Sequence, residues 1–296
     1  MVARQKINQV KRRGEMDKAA RNCGPNGCGQ GESRRPEVLP PNKASEIKHV
    51  LGVMSGKGGV GKSSVSALLA VALRRRGYEV GIMDADITGP SIPKIFGLVD
   101  RPEQFERFVL PVRSLSGIKV MSVNLLLTRE DEPVIWRGPI LAGAVRQFWT
   151  DVAWGQLDYL IVDMPPGTGD VPLTVMQQLP LEGMVIVSSP QDLAMMVVKK
   201  AINMARLAEV PILGLVENMS YLVCPHCHRD VYPFGKSHVV EAASDNGLRV
   251  LAVLPVDEKL VELSDAGRIE EYEGVALEKL TPVVEAVEKM SGGSPS

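Results

Sequence analysis

Positions 56–63 read Gly56-Lys57-Gly58-Gly59-Val60-Gly61-Lys62-Ser63. This stretch fits the phosphate-binding loop pattern G-x-x-x-x-G-K-[ST], in which glycines let consecutive backbone N–H groups point at phosphate oxygens. It lies between an apolar strand candidate at 49–54 and an Ala- and Leu-rich helix candidate at 63–76. The order strand, glycine loop, helix is the context that the pattern requires, and the helix N-terminus adds partial positive charge. The sequence therefore predicts a nucleotide-binding loop here.

The side chains of this loop have distinct expected tasks. Lys62 is expected to reach the β- and γ-phosphates of a nucleotide, and the Ser63 hydroxyl is expected to bind Mg²⁺. Lys57, directly after the first glycine, is an additional cation that the general pattern does not require. A glycine-rich turn with a chance lysine is the alternative, and the flanking strand and helix disfavour it. The nucleotide-binding residues predicted from the loop are Gly56, Lys57, Gly58, Gly59, Val60, Gly61, Lys62, Ser63 and Ser64.

Apolar strand candidates alternate with helical stretches through most of the chain. The strand candidates lie at 49–54, 79–84, 118–123, 157–163, 183–188, 211–217 and 249–254. The helical stretches lie near 63–76, 139–152, 171–179, 191–208, 237–246 and 274–290. Several strands are continuous apolar runs, which is typical of a parallel sheet covered on both faces. The sequence predicts an α/β fold with one doubly wound, mostly parallel sheet and helices on both of its faces.

Composition divides the chain into three parts. Residues 1–45 hold ten Lys or Arg and four acidic residues, which predicts a disordered basic tail that also carries a cysteine pair. Residues 46–290 form the predicted nucleotide-binding domain, with a C-x-x-C loop at 224–227. Residues 291–296 are predicted to be a flexible C-terminus.

Charge and hydropathy exclude several classes of protein. The net charge of −1 gives no overall electrostatic case for specific nucleic-acid or membrane binding. No apolar run approaches the roughly 18 residues of a membrane span, and the N-terminus lacks the apolar core of a signal peptide. The sequence predicts a cytoplasmic protein without a membrane partner. Four cysteines in 296 residues do not resemble a disulfide scaffold, so a cysteine pair indicates metal or redox chemistry.

Three polar motifs follow the ends of predicted strands. Asp84 and Asp86, two residues apart, are expected to position Mg²⁺ and an attacking water. Asp163 ends an apolar strand in the form of a Walker-B element, whose carboxylate holds Mg²⁺. Asn218 offers an amide side chain for the edge of the base, and the Pro-Pro-Gly-Thr-Gly run at 165–169 is a candidate switch loop. A turn or helix cap is the alternative role for each acid.

A second chemical motif lies far from the phosphate loop: residues 224–227 read Cys224-Pro225-His226-Cys227. Two thiols at this spacing ligate one metal centre but fill only half of a four-thiolate shell. From the motif alone an iron–sulfur cluster and zinc are about equally favoured, because His226 and His228 add possible zinc ligands. A redox disulfide and a pair without a ligand also stay open.

The loop with a lysine directly after its first glycine resembles the deviant Walker-A class, which includes MinD, ParA and the nitrogenase iron protein. Within that class the chain resembles the Mrp/ApbC iron–sulfur carrier ATPases, and the resemblance covers nearly all of 48–290. The matching segments lie at 55–63, 84–93, 136–139, 163–170, 190–194, 216–220 and 224–227.

The resemblance implies a homodimer that sandwiches ATP and Mg²⁺. Lys57 would cross to the nucleotide of the partner subunit, where a second cation neutralises the charge that spreads over the phosphates during transfer. Asp86 would lie near the attacking water. The catalytic residues implied in this way are Lys57, Lys62 and Asp86, with Ser63 and Asp163 as magnesium ligands and Asp84 and Asn218 in the nucleotide site.

For the cysteines, the resemblance implies that Cys224 and Cys227 of two subunits bind one labile, bridging [4Fe–4S] cluster. The cluster would come from an iron–sulfur scaffold donor and pass to recipient apoproteins. Some relatives carry a four-cysteine segment near the N-terminus that holds a second, stable cluster. This chain has only Cys23 and Cys28 there, so the second cluster is not carried over. Transient metal capture and a disordered remnant both stay open for that pair.

A positioning ATPase like MinD or ParA, acting on a membrane or DNA surface with zinc at the C-x-x-C motif, is the main alternative. MinD-type members end in a basic amphipathic helix, whereas 277–290 carries three glutamates against two lysines, so we expect it to pack on the domain. A reductase like the nitrogenase iron protein is disfavoured because no cysteine lies between Cys28 and Cys224. A non-enzymatic nucleotide-binding scaffold is a further class. His49 and His238 are interpreted as ordinary polar residues.

Overall fold

The structure is a computed structural model that describes residues 39–87, 89–127, 138–190, 192–235, 237, 239–290 and 292. Most of the predicted basic tail, with Cys23 and Cys28, lies outside the described residues, as do His238 and most of the predicted C-terminal tail. The boundaries of these two tails stay predictions.

An eight-stranded sheet forms the centre of the described chain. In spatial order its strands are β12 (Val250–Val253), β9 (Ile212–Glu217), β8 (Gly183–Ser188), β1 (Ser45–Ser55), β7 (Gly155–Asp163), β2 (Val80–Asp84), β6 (Lys119–Met121) and β5 (Val112–Arg113). The first seven are parallel, and β5 pairs antiparallel with β6 at the edge. These seven parallel strands are the seven that the sequence predicts, and the predicted fold class is confirmed. Two small hairpins lie outside the sheet: β3–β4 (Gln104–Phe105, Phe108–Val109) and β10–β11 (Leu222–Val223, Asp230–Val231).

The central strand β1 is covered on both faces. Successive side chains of a strand point to opposite faces. Accordingly Val50 and Met54 belong to one buried apolar cluster, while Leu51 and Val53 belong to the other. Neither face of this part of the strand meets water, which explains why its sequence is a continuous apolar run.

Helices cover both faces of the sheet. Those described are α1 (Lys62–Arg75), α2 (Ile92–Ile95), α3 (Gly138–Thr150), α4 (Asp170–Gln178), α5 (Asp192–Leu207), α6 (Val239–Asp245), α7 (Glu258–Asp265), α8 (Val275–Lys279) and α9 (Thr281–Met290). The sequence pattern does not predict α2 and α7. Helix α2 has only four residues and α7 only eight, of which Leu260 and Leu263 pack partly buried against the core, so both are too short for a helical period to be recognised.

The single C-terminal helix predicted at 274–290 is divided into α8 and α9. The division lies at Leu280, two residues before Pro282, which lacks the N–H that would continue the hydrogen bonds of α8 and is tolerated in the first turn of a new helix. Helix α9 packs on the domain as predicted and buries three valines there: Val283, Val284 and Val287. No helix in the described part of the chain has the length and apolarity needed to cross a membrane.

The carboxyl ends of the parallel strands bring the predicted polar residues to one edge of the sheet. Strands β2 and β7 are neighbours, and Asp84 lies opposite Asp163 in their register. Strands β8 and β9 pair in the same way, with Ser188 opposite Glu217. The phosphate loop leaves the end of β1, which lies between β7 and β8. The topology thus places the loop, the two acids and the segment after β9 around one region, where open α/β sheets bind ligands.

Candidate nucleotide site and cysteine hairpin

The phosphate loop depends on glycine at two positions with left-handed backbone. Gly59 has a φ of 78° and Gly61 a φ of 76°, a region that residues with a side chain rarely adopt. A Cβ added to Gly61 would also lie only 2.2 Å from Nδ2 of Asn218. That Nδ2 donates a hydrogen bond of 3.0 Å to the carbonyl oxygen of Val60. The loop and the segment after β9 therefore fit together only with glycine at position 61.

The first glycine of the loop permits a close approach of α5. A Cβ on Gly56 would lie 2.2 Å from Cγ1 of Val197 and 2.6 Å from its carbonyl oxygen. The Ser55 hydroxyl donates to the carbonyl oxygen of Lys57 at 2.8 Å. The N–H of Gly167, in the candidate switch loop, donates to the carbonyl oxygen of Ser55 at 2.9 Å. The start of the loop is thus held by both α5 and the switch segment.

We expect Gly61→Ala to destabilise the protein by about 1–3 kcal/mol, because alanine would take an unfavourable φ and overlap with Asn218. Thermal unfolding without nucleotide measures this loss. Gly58→Ala is the matched control, since a Cβ at Gly58 meets no atom within 4 Å, and its melting temperature should stay near that of the wild type. Equal melting temperatures for the two variants would contradict the role assigned to Gly61.

A buried polar cluster surrounds the second lysine of the loop. Lys62 Nζ lies 2.8 Å from Asp163 Oδ2 and 3.7 Å from Asp86 Oδ2. The Ser63 hydroxyl donates to Asp163 Oδ2 at 2.6 Å, and the Ser66 hydroxyl donates to Asp163 Oδ1 at 2.7 Å. The structure therefore brings the loop lysine, the loop serine and the Walker-B-type aspartate to one point. Ser66, which the sequence does not single out, lies three residues after Ser63 on the same face of α1.

The oxygen atoms of this cluster suit Mg²⁺, which takes oxygen ligands in octahedral geometry. Ser63 lines the adjacent cavity, and the fully buried carboxylate of Asp163 lies directly behind it. The Lys62 ammonium compensates the charge of the carboxylates in the structure as it stands. The residues present thus fit a magnesium ion beside a phosphate, with Ser63 and Asp163 as its protein partners.

The two carboxylates after β2 have different surroundings. Asp84 is completely buried and accepts hydrogen bonds from the N–H of Asp86 at 3.2 Å, the N–H of Ile92 at 3.3 Å and the Ser122 hydroxyl at 3.1 Å. Burial, and next the charge of Asp163, raise the pKa of the Asp84 carboxyl far above its usual range. Asp86 lines the cavity and Asp84 does not. The hydrogen bonds of Asp84 thus order the loop that carries Asp86, while its expected part in positioning Mg²⁺ stays a prediction.

The phosphate loop opens onto a cavity of about 600 Å³, within the size range of small-molecule and cofactor sites. The predicted residues that line it are Gly58, Gly59, Gly61, Lys62, Ser63, Ser64, Asp86 and Asn218. The predicted residues that do not line it are Gly56, Lys57, Val60, Asp84 and Asp163. The cavity continues along residues that the sequence does not single out, among them Met219, Phe234, Pro255, Val256 and Asp257.

Cys224 and Cys227 lie in the turn that joins β10 to β11. The N–H of Cys224 donates to the carbonyl oxygen of Arg229, and the N–H of His228 donates to the carbonyl oxygen of Cys224, both at 2.9 Å. Hydrogen bonds from the backbone N–H groups of Cys227 and then His226 lower the pKa of the Cys224 thiol. These bonds favour the thiolate, which is the form that binds metals.

The turn offers two sulfur ligands and no complete metal site. Cys227 is exposed and Cys224 is half-buried, so both are accessible from outside the fold. Among the described residues, no group of three or more His, Cys, Asp or Glu is close enough to hold a metal ion. His226 and His228 therefore do not complete a zinc site with the two cysteines in this structure. Further ligands have to come from outside the described chain.

A family model described as ParA: NUBPL iron-transfer P-loop NTPase matches residues 46–290. The chain belongs to this family. An iron–sulfur cluster carrier protein of Aquifex aeolicus is 47% identical over 228 residues, which cover 76% of this chain but only 62% of that relative. The iron–sulfur cluster carrier protein of Clostridium perfringens is 45% identical over 265 residues, covering 86% of this chain and 91% of the relative.

A solved structure supports the same placement of the chain among the iron-transfer P-loop NTPases. It is a nucleotide-binding protein from Archaeoglobus fulgidus in complex with ADP, with Co found by PIXE. It is 47% identical to this chain, with a TM-score of 0.71, and the match covers 79% of this chain and 91% of that one. The predicted family, P-loop NTPase fold and nucleotide-hydrolysing class are confirmed.

The sequence could have predicted one further part of the site, the segment that follows strand β12. Pro255, Val256 and Asp257 begin two residues after the end of β12, and the carboxyl end of a parallel strand is where ligands bind. Asp257 caps α7, accepting from the N–H groups of Lys259 and Leu260 at 3.0 and 3.2 Å. This cap fixes the segment after β12 against the cavity.

Proposed function

We propose that this iron-transfer P-loop NTPase binds and hydrolyses ATP with Mg²⁺ and carries a labile [4Fe–4S] cluster between the two subunits of a homodimer. It would receive the cluster from a scaffold donor and transfer it to recipient apoproteins. The observation that carries the proposal is the cysteine turn, which presents two accessible thiols and, among the described residues, no third ligand. Each chain would supply half of a four-thiolate shell, and a second copy of the chain would complete it.

On the nucleotide side, the chain's own residues have separate tasks. Lys62 is placed to exchange its contacts with Asp163 and Asp86 for the β- and γ-phosphates. Ser63 and Asp163 would hold Mg²⁺, which neutralises charge on the phosphate oxygens when bound. Asp86 lines the cavity beside Lys62 and would orient the attacking water. Lys57 is half-buried and does not line the cavity of its own subunit, which supports a role at the partner's nucleotide.

Asn218 supports adenine over guanine as the base. Its Nδ2 is committed to the carbonyl oxygen of Val60, which leaves its amide oxygen as an acceptor in the cavity. Adenine carries an exocyclic amino group that can donate to this oxygen, whereas guanine presents a carbonyl oxygen at the corresponding position.

On the cluster side, the surface around the cysteines supports pairing of two chains. Four apolar side chains of the hairpin are exposed: Leu222, Val223, Val231 and Tyr232. Clustered exposed apolar side chains are a common feature of interaction sites. Contact between two such hairpins would bring four thiols together and shield the cluster partly from water.

Anaerobic reconstitution of the whole chain with iron and sulfide tests the proposal. We expect about four iron and four sulfide per two chains and an absorption band near ~400 nm from thiolate-to-iron charge transfer. The mass of the reconstituted species in solution should be that of a dimer.

Zinc retained in place of iron, with no such band, would favour the positioning-ATPase alternative. The family of the chain and the packing of α9 on the domain already disfavour that alternative. The cytoplasmic location stays a prediction.

A further inference from the structure

One buried carboxylate holds both ends of the segment that carries the cysteines. Glu217, the last residue of β9, is almost fully buried. The Ser220 hydroxyl donates to its Oε1 at 2.5 Å, and the Ser237 hydroxyl donates to its Oε2. Ser220 and Ser237 flank the cysteine hairpin in the sequence. Glu217 therefore ties together the two points at which the hairpin segment leaves and rejoins the domain.

Nucleotide chemistry does not account for Glu217. Its side chain does not line the cavity, and among the described residues no lysine or arginine lies within ion-pair distance of it. Burial of a carboxylate is costly unless hydrogen bonds compensate it, and here the two serine hydroxyls supply them. The arrangement is explained if the carboxylate serves to fix the hairpin segment.

The same segment contacts the nucleotide cavity at three points. Asn218, the residue after Glu217, lines the cavity and bonds to the phosphate loop. Val256, also in the cavity wall, donates its N–H to the carbonyl oxygen of Tyr221 at 2.7 Å. Phe234, three residues beyond β11, lines the cavity itself. The segment between Ser220 and Ser237, which carries the thiols, thus contributes Phe234 to the cavity wall and is bonded to Val256 in that wall.

We propose that Phe234 contacts the bound nucleotide and thereby couples nucleotide binding to the position of Cys224 and Cys227 within one subunit. Glu217 is the pivot of this coupling because it joins the hairpin ends to the strand that precedes Asn218. Phe234 is about half-exposed, so a nucleotide in the cavity has an aromatic surface to cover and immobilise. The coupling rests on the proposed function only in that the two cysteines are taken to hold the cluster. By linkage, a ligand on the thiols would change the affinity for nucleotide by the same factor by which nucleotide changes the affinity for that ligand.

Peptide-resolved alkylation of the full-length apoprotein tests this coupling. The rates at which N-ethylmaleimide modifies Cys224 and Cys227 are measured with and without saturating ADP. We expect ADP to slow both rates by about fivefold or more in the wild type, the range of ordinary allosteric coupling. In Phe234→Ala, with ADP raised until it saturates, the effect of ADP should disappear. Phe234→Tyr should restore it, because the ring is retained.

Two further variants separate coupling from a loss of stability. Phe105→Ala removes a more exposed aromatic side chain (61% against 46% for Phe234) from the β3–β4 hairpin, away from the cavity lining, and should keep the full effect of ADP. Glu217→Gln should weaken the effect without loss of ADP binding. An effect of ADP that persists in Phe234→Ala, or one that is absent from the ADP-bound wild type, would overturn the proposal. The alkylation measurement uses no metal, so it tests the coupling even if the protein forms no cluster and the proposed function fails. If a cluster forms but ADP has no effect on alkylation, the coupling is refuted and the proposed function is not.

Discussion

Cys224→Ala should retain at most about a tenth of the wild-type iron and sulfide after anaerobic reconstitution, because a dimer of the variant keeps only two of four thiolate ligands. Cys224 is also a thiol that accepts hydrogen bonds from two backbone N–H groups, so its loss removes a thiolate that the backbone stabilises. Iron and sulfide per chain, with the band near ~400 nm, are the measurements. Phosphate release should continue in the variant, since the phosphate loop and its cluster of acids are untouched.

His226→Ala is the control that separates the two metals. His226 lies between the cysteines, and it belongs to no group of three or more possible ligands among the described residues. A bridging cluster with four cysteine ligands should survive this substitution with its iron content unchanged. A zinc site built from cysteine and histidine should not. Loss of bound metal from His226→Ala as complete as from Cys224→Ala would contradict the four-thiolate assignment.

Much of the nucleotide site follows from the sequence because its residues lie at strand ends. Asp163 ends a buried apolar run, and Lys62 and Ser63 belong to a loop whose pattern is specific. The carboxyl ends of parallel strands lie at the same edge of the sheet, so these residues are close together however the helices pack. The residue pattern alone does not distinguish Asp84 from Asp86, however, and only the family resemblance assigns them different roles. Two carboxylates two residues apart look alike until burial shows which one lines the cavity.

Sequence patterns do not predict the contact between the cysteine hairpin segment and the nucleotide cavity. Phe234 lies 16 residues after Asn218, and the two reach the same cavity because the chain folds back through the β10–β11 hairpin. That return depends on Ser220 and Ser237 meeting one carboxylate, a tertiary contact that leaves no periodic signal. Glu217 illustrates the difficulty, since an acid at a strand end resembles a ligand residue until its two serine partners are seen.

Lys62→Met should reduce ATP hydrolysis by about 10²–10³-fold, since one preorganised cation facing the developing phosphate charge is removed while the aliphatic stem is kept. Phosphate release at saturating ATP and Mg²⁺ measures the loss. Lys48→Met removes a lysine whose ammonium lies 2.9 Å from Asp158 outside the cavity, and its rate should match that of the wild type. A Lys62→Met variant that keeps more than about half of the wild-type rate would show that transfer does not depend on this cation.

The same substitution should also change how stability depends on pH. In the wild type the folded-state pKa of Asp84 is raised by burial and by Asp163, and Lys62 lowers it again in part. A carboxyl whose folded pKa is raised contributes stability below its unfolded pKa, and that stability is lost as pH rises through the folded pKa. Without Lys62 the folded pKa of Asp84 rises further above its wild-type value of about 8. Below that pH Asp84 is protonated in both folded proteins, so the difference in melting temperature between Lys62→Met and the wild type should stay constant. Above about pH 8 only the wild type stops losing stability, so the difference should widen. A difference that stays constant, or narrows, above about pH 8 would show that the lysine does not compensate the buried Asp84. Lys62 would then act on the phosphates during turnover without stabilising the nucleotide-free site.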